Sequence, residues 1–446
     1  MKFNNILTIT AFSTLFIYSC HSTKENYREK TVEINKTNIQ EIEIEKRAIT
    51  YRDQTFNPNI KTVLCHQSNN QLSLAIINLH SSNKILISFD DLDADRKDYY
   101  YTIVHCNADW TESDLIQSEY IDGFNEEHIS NYEFSFNTIQ KYTHYQFEFP
   151  SENMKPSLSG NYIFKIYDNN KNNVICKRFM VLDTKLQIDA NIRRATLVNN
   201  RKYKHEVDFI IKHPNLIIAD PFTDIKVHIK QNNMDHNSIT DLTPQFIKND
   251  ELIYDYEYEN TFWGNNEFRH FDFKSLRYQS EKIRTINFDS TYNHIYLFDD
   301  KKRPFDRYSI NPDINGKFII ESQEAWKSTN EADYAFVHFT LPSDKITYAE
   351  LYVFGKFSDW EFKNDFKLEY NPNNKKYEGS IYLKQGYYNY HYALNDTNTN
   401  HIDIKSIEGT HYQTRNDYYI YVYYRGVGDR YDRLIGFAKS SSKELF

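Results

Sequence analysis

The sequence predicts an all-β protein of three β-sandwich domains in a row. Three observations predict it. Aromatic residues reach 16%, with 37 Tyr and 31 Phe, and both types favour pleated, half-buried surfaces. Apolar and polar residues alternate with period two in short runs separated by Asn, Asp and Ser, the pattern of strands joined by turns. The 446 residues leave room for about three domains at ~150 residues each, and a 40% apolar content can fill their cores.

Composition also excludes function classes. The formal charge is −9 with no basic block, whereas a general nucleic-acid binder needs a cationic surface to displace phosphate counterions. Only 11 residues are Gly, and neither GxxxxGK[ST] nor GxGxxG occurs, so the two glycine-rich loops that cradle nucleotide phosphates are absent from the sequence.

The N-terminus reads as an address. Met1-Lys2 precedes a mostly apolar stretch, Ile6 to Tyr18, too short for the roughly 20 residues that span a bilayer but of signal-peptide length. Ile17-Tyr18-Ser19-Cys20 resembles a bacterial lipoprotein cleavage box, which makes Cys20 the candidate lipid-attachment residue. An ordinary secretory signal cut near Cys20 is the alternative. Residues 1–19 are thus expected to be a signal peptide and 20–48 a tether. Glu41-Ile42-Glu43-Ile44-Glu45 within it also has the alternation of a strand awaiting a partner. No later segment offers 18 uninterrupted apolar residues.

Residues 49–185 form the expected N-terminal β-sandwich domain. Lys84 to Phe89, Tyr99 to Val104 and Tyr145 to Phe149 read as strands. Asn161 to Tyr167 runs into an Asp168-Asn169-Asn170-Lys171-Asn172-Asn173 turn, and Val174 to Leu182 returns as its hairpin mate. About seven strands in this length fit an immunoglobulin-like sandwich. Residues 186–329 form the expected middle β-domain, with strands at Val207 to Ile211 and Ile225 to Ile229 and an aromatic tract from Leu252 to Phe273. Residues 330–446 form the C-terminal domain, in which Gly355, Gly379 and Gly386 are expected to mark turns.

Cysteine usage is sparse. Besides Cys20 there are Cys65, Cys106 and Cys176, which an oxidising compartment would allow to form one disulfide, with Cys106–Cys176 the pair on domain grounds. No CxxC occurs, so no zinc framework is expected.

Few residue patterns point to chemistry. His105-Cys106 invites a nucleophile reading, but neighbours on a strand point to opposite faces, and packing by Trp110 with a turn organised by Asp109 is the better account. Asp90-Asp91-Leu92-Asp93-Ala94-Asp95 has the acid density of a calcium loop but lacks the Gly and Glu that an EF-hand requires, and reads as a solvated loop. Neither HExxH nor GxSxG occurs, so no metal and no catalytic residue is assigned. Glu267, Arg269 and Asp272 could form one charge-assisted network, either facing a partner or fixing the middle domain from inside. Tyr352 to Trp360, Tyr377 to Leu383 and Lys384 to Tyr390 resemble the early-set immunoglobulin-like module. In many proteins that module stacks aromatic rings on starch-type sugars, for which Trp360 and Tyr387 are the candidates. This supports an alternative function, a glycan-binding lipoprotein of a polysaccharide-uptake system. A glycoside hydrolase with accessory modules would need a carboxylate pair in a cleft, and no acidic residue is singled out for it.

A longer series of residues decides the reading. Phe89-Asp90-Asp91-Leu92, Tyr101 to Trp110, Ser113, Glu119-Tyr120, Gly123-Phe124, Ser135 to Thr138, Tyr142 to Tyr145, Phe149-Pro150 and Ser159 to Tyr162 open it. Gln231-Asn232, Gly264 to Asp272, Asp313 to Gly316, Glu408 to Tyr412 and Tyr431 to Gly436 continue it. Together these resemble the type IX secretion system plug protein family of Bacteroidota over about residues 50 to 440. The resemblance implies a non-enzymatic periplasmic protein, without a cofactor, that seals the periplasmic opening of the outer-membrane translocon barrel when no cargo is engaged. The sequence departs from the family in its Lys/Asn-rich, glycine-poor composition and in its lipoprotein-like start. Physically, a pore wide enough for folded proteins needs a stiff stopper, and three domains in a row would give a body of ~100 Å if each spans ~35 Å. Tyr-rich surfaces and a polar interface of standard size would suit reversible contact, and a lipid tether would keep the stopper near the pore.

Overall fold

The computed structural model describes residues 52–396, 399 and 402–442. The expected signal peptide, Cys20 and the tether lie outside the described residues. The chain is nearly all β, as composition predicts, and its strands build three sheet systems, each around a core of its own.

The first system packs two sheets. One runs in the order Gln54–Thr55, Asn173–Leu182, Gly160–Asp168, Tyr99–Cys106, Glu127–His128, and the other Ile60–Gln67, Ile85–Asp91, Thr143–Phe149, Tyr132–Phe134. Period-two alternation selects the inner faces: Ile85, Ile87 and Phe89 point into the core, where Tyr145, Phe149, Phe164 and Phe179 close around them. Rings of Phe164 and Phe179 stack at 4.0 Å, as do those of Tyr101 and Phe147. The 168–173 hairpin forms as its sequence predicts, with the Asp168 carboxylate accepting from the Asn170 and Asn172 backbone N–H groups at 2.9 Å each.

Strand pairing beyond residue 186 does not follow chain order. Ile225–Gln231 pairs with Asp417–Tyr424, which pairs in turn with Arg433–Ser441, so the last strands of the chain complete the sandwich begun by the sheet of Gln187–Arg194, Lys204–Lys212, Glu251–Tyr254 and Phe246–Lys248. Conversely, Arg269–Asp272 and Phe318–Ile320 pair with Gly386–Asp396, and Asn293–Leu297 pairs with Tyr334–Pro342. Hydrogen bonding therefore crosses the boundary expected at residue 329. Periodicity reports that a segment is a strand; it carries no signal for which distant strand will be its partner.

Asp417–Tyr424 has a physical reason for its position. Tyr418, Ile420 and Val422 enter the core of the second system, while Tyr419, Tyr421 and Tyr423 enter another cluster with Cys106, Trp110, Ile163, Cys176 and Met180 of the first. A strand apolar on both faces is stable only between two apolar layers. Each of these outer tyrosines brings a hydroxyl that must be bonded when buried. Tyr423 donates to Asn161 Oδ1 at 3.0 Å and Tyr421 to Asn233 Oδ1 at 2.7 Å.

Three expectations are corrected here. The sheet systems are not strung end to end; each touches the other two, through the contacts described below. Tyrosine is not chiefly a surface residue: the largest fully buried side chains are all Tyr, from Tyr99 to Tyr423. And Cys65, Cys106 and Cys176 are free thiols. Cys106 lies opposite Asn161 and Cys176 opposite Lys165, on strands that flank Gly160–Asp168 from either side. Two strand spacings amount to about 9–10 Å, beyond disulfide reach.

Two outcomes follow. The melting temperature should be the same with and without reductant; a drop on reduction would reveal a disulfide. A chain ending after residue 408 should lose cooperative thermal unfolding, because two cores lose one wall; retained cooperativity by calorimetry would contradict the pairing of 225–231 with 417–424.

Candidate functional site

The most unusual groups of the molecule are charges buried where the sheet systems meet. On Ile85–Asp91 the same alternation that sends Ile87 and Phe89 inward sends Ser88 and Asp90 outward, toward the third system. Asp90 is 0% exposed. Its carboxylate accepts from Lys384 Nζ at 2.6 Å, from the Tyr334 hydroxyl at 2.6 Å and from His144 Nδ1 at 2.6 Å. Lys384 Nζ also donates to the Thr329 carbonyl at 2.8 Å and lies 4.1 Å from the Tyr142 ring centre. Burial by itself would raise the Asp90 carboxyl, but Lys384 and His144 outweigh it and hold the group below the usual carboxylate range. Close by, Asp333 accepts from the Ile139 and Gln140 backbone N–H groups at 2.7 and 3.0 Å. A second first-to-third clamp is Lys177, buried between Asp53 at 2.8 Å and Asp359 at 2.5 Å.

The first and second systems meet at Asp432. Its carboxylate accepts from the Ala108 N–H at 2.9 Å and pairs with Lys226 at 3.0 Å and Arg425 at 2.9 Å. Beside it, His105 bonds the Ser113 hydroxyl at 2.9 Å and the Ser159 carbonyl at 3.3 Å. Burial pushes His105 down to about 4, so it is a neutral structural group. A Cβ at Gly160 would lie 2.5 Å from His105 Nε2, so only glycine fits. Cys106 points the opposite way, into the cluster with Cys176 and Tyr421.

Glu408 organises the third system where it borders the second, which it reaches next door through the Thr410 hydroxyl, donated to the Tyr203 carbonyl at 3.0 Å. Its carboxylate, 0% exposed, receives Arg269 Nε at 3.0 and 3.1 Å, Arg303 Nε at 2.6 Å and the Tyr392 N–H at 2.8 Å. Arg269 reaches Asp300 at 2.9 Å, and Asp300 takes the hydroxyls of Tyr390 and Tyr392 at 2.7 and 2.8 Å. Burial acts to raise Glu408, and the two guanidinium groups overcome it and hold the carboxyl well below its ordinary range. Around this network Asn232 and Asn416 bond each other at 2.7 Å, and Asn416 donates to the Gly264 carbonyl at 2.8 Å. Gly264 has no room for a side chain, since a Cβ would lie 2.0 Å from the His411 carbonyl oxygen.

Of the expected trio, Arg269 alone belongs to this network. Glu267 is buried nearby but accepts from the Tyr308 hydroxyl at 2.5 Å and the Arg415 N–H at 3.2 Å, and burial raises its carboxyl. Asp272 sits at a corner, bonded to the Lys274 N–H at 3.0 Å. Trp360 is 7% exposed, packed against Phe268 and Phe354, and has no free face for a sugar; Tyr387 is half-buried and stacked on His270. The acidic 90–95 segment is solvated only in part. Asp93 and Asp95 share Lys97 at the surface, whereas Asp90 and Asp91 are buried, Asp91 accepting from the Tyr99 hydroxyl at 2.8 Å. Among the described residues no His/Cys/Asp/Glu group is placed to hold a metal ion.

Sequence reasoning gave no role to Lys177, Lys384, Glu408 or Asp432. A signal existed for two of them: Glu408 and Asp432 lie within the segments 408–412 and 431–436 that resemble the plug protein family. Those segments, with 105–110 and 159–162, come together at the junctions.

Comparison with known proteins places these features. Residues 60–183 match the family described as the type 9 secretion system plug protein 1st domain. A crystal structure of a hypothetical protein from Parabacteroides merdae superposes with a TM-score of 0.85 at 33% identity, covering 88% of this chain and 99% of that one. No curated protein sequence matches the chain.

Glu408→Ala should destabilise the protein by about 3–5 kcal/mol in urea unfolding, because it strands two partly buried arginines beside a buried site. A change under 1 kcal/mol would mean that the network contributes no more than a surface pair does. The pH dependence has a definite sign. A carboxyl depressed in the folded state contributes stability that is present above its unfolded value of about 4.3 and is lost as pH falls toward the folded value. The gap between wild type and Glu408→Gln should therefore be full at neutral pH and shrink below pH ~4.3; a gap independent of pH would contradict the ionised assignment.

Proposed function

We propose, from the membership of this chain in the type 9 secretion system plug protein family, that it seals the periplasmic opening of that system's outer-membrane translocon barrel when no cargo is engaged. The family is one of secretion plugs rather than enzymes. The observation that carries the reading is the first-domain match over residues 60–183, and the build of the rest supports it. A stopper for a wide pore must resist bending, and hinge motion between domains is the default unless their interfaces are large and apolar or otherwise locked. Here the junctions of the first system with the other two are locked by the buried charges of Asp90, Lys384, Lys177 and Asp432, and the strand Asp417–Tyr424 is shared by the first and second. The titratable groups at those junctions are engaged in structural bonds, which suits a mechanical role.

The partner in this reading is the barrel, the compartment is the periplasm against the outer membrane, and Cys20, if acylated, ties the protein to that membrane. A seal that must open favours a largely polar contact of roughly 1,600 Å² over a permanent apolar one. The buried ring of Trp360 removes the main support for the glycan-binding alternative.

Deleting the gene should make the outer membrane permeable to medium-sized solutes, and only in cells that still make the translocon barrel. Equal permeability with and without the protein in barrel-containing cells would overturn sealing.

A further inference from the structure

Loops at the border of the second and third systems gather cations that no carboxylate answers. They are bonded to one another. The Tyr203 carbonyl takes the Gly264 N–H at 2.8 Å and the Thr410 hydroxyl at 3.0 Å, the Lys202 carbonyl takes the Tyr412 N–H at 3.2 Å, and the Arg303 N–H donates to the Ile407 carbonyl at 2.8 Å. The first of these loops brings Arg201, Lys202 and Lys204. The 301–310 loop adds Lys301, Lys302 and Arg307, and the 403–412 segment adds Lys405. Among the described residues none of these cations has a carboxylate within ion-pair distance. Surface lysines elsewhere do: Lys84, Lys171 and Lys376 hold Glu148, Glu126 and Asp299 at 2.9, 2.6 and 2.6 Å. The acids of the border loops, Glu257, Glu259, Asp306 and Asp403, are fewer than the cations, so this face is locally cationic in a chain of formal charge −9.

Apolar side chains stand exposed among these cations. Phe305 is 97% exposed, and Ile310, Tyr258, Tyr203 and Trp263 are on the surface with it. Lys405 Nζ lies 4.3 Å and Lys204 Nζ 4.8 Å from the Trp263 ring centre, and Lys204 Nζ is also 5.5 Å from that of Tyr258. Two ammonium groups thus share one indole. Partial burial, and then the charge of Lys405, lower Lys204 below the ordinary lysine range, so an arriving anion would relieve a repulsion that the fold leaves in place. Exposed apolar side chains rimmed by unanswered charge mark a surface that meets something other than water.

We propose that this face rests on an anionic lipid surface, with Phe305 and Ile310 entering the acyl boundary, the Trp263 and Tyr258 rings at headgroup level, and the surrounding lysines and arginines on lipid phosphates. Cations carried on separate loops suit a fluid array of headgroups, each of which can move to the charge that needs it. Trp and Tyr, apolar in body and polar at one edge, match that boundary, and an apolar tip gains by passing below it. An acidic protein segment would answer the cations, but Phe305 would stay in water unless the segment also brought an apolar pocket. The inference goes beyond the sealing reading and does not depend on it.

The test is vesicle flotation of the purified full chain carrying Cys20→Ser, which excludes an acyl anchor. Vesicles of equal parts phosphatidylglycerol and phosphatidylcholine are compared with phosphatidylcholine alone. The chain should float with the anionic vesicles in excess over the neutral ones, and added NaCl should abolish that excess. Lys204→Glu with Lys405→Glu should lower the anionic partition coefficient by at least about tenfold at an unchanged melting temperature. Lys202→Glu with Arg307→Glu serves the same purpose should the first pair fail to fold. Phe305→Ser should weaken flotation and leave its salt dependence in place. Equal flotation with both kinds of vesicle, no flotation with either, or a folded charge-reversed variant that floats like its parent would overturn the proposal. So would binding of poly-L-glutamate without binding of vesicles, which would assign the face to an acidic protein partner.

Discussion

Charge removed from water must find its partner inside the molecule, and in this protein that requirement falls at the junctions between sheet systems. Asp90 with Lys384 and Lys177 with Asp359 join the first system to the third, and Asp432, paired with Lys226 and Arg425, takes the Ala108 N–H of the first. A buried ion pair adds little net stability over a well-packed apolar contact, yet breaking one side of it is costly. Such pairs therefore act less as glue than as register pins: a sliding or rocking motion of one sandwich on another would leave a carboxylate or guanidinium stranded.

The apolar part of the same design is the strand Asp417–Tyr424. Serving two cores with alternate residues, it makes the first and second systems share a wall instead of meeting at a hinge. Tyrosine suits this position because its ring fills the layer while its hydroxyl can reach a polar group of the neighbouring system, as Tyr423 does with Asn161. The abundance of Tyr thus follows from internal junctions that are apolar in area and polar at the edges.

These junctions also explain why residues that look chemically suggestive in the sequence have structural work. His105 beside Cys106, the acidic 90–95 segment and the 264–272 cluster supply bonds between sheet systems or turns, and Trp360 fills a space between Phe268 and Phe354.

Strand identity was legible in the sequence because it depends on local alternation: the 84–89, 99–104, 145–149 and 161–182 segments form where the pattern puts them, as does the 168–173 turn whose Asp and Asn side chains bond their own backbone. The ordered segments that resemble the plug family also lay in plain view, Asp90, Glu408 and Asp432 among them. What tertiary structure alone decided was pairing across long separations: Ile225–Gln231 with Asp417–Tyr424, Asp90 with Lys384, Arg269 with Glu408. Local patterns fix which face of a strand is apolar, but a carboxylate's partner is set by which surfaces come together, and that is a property of the whole chain.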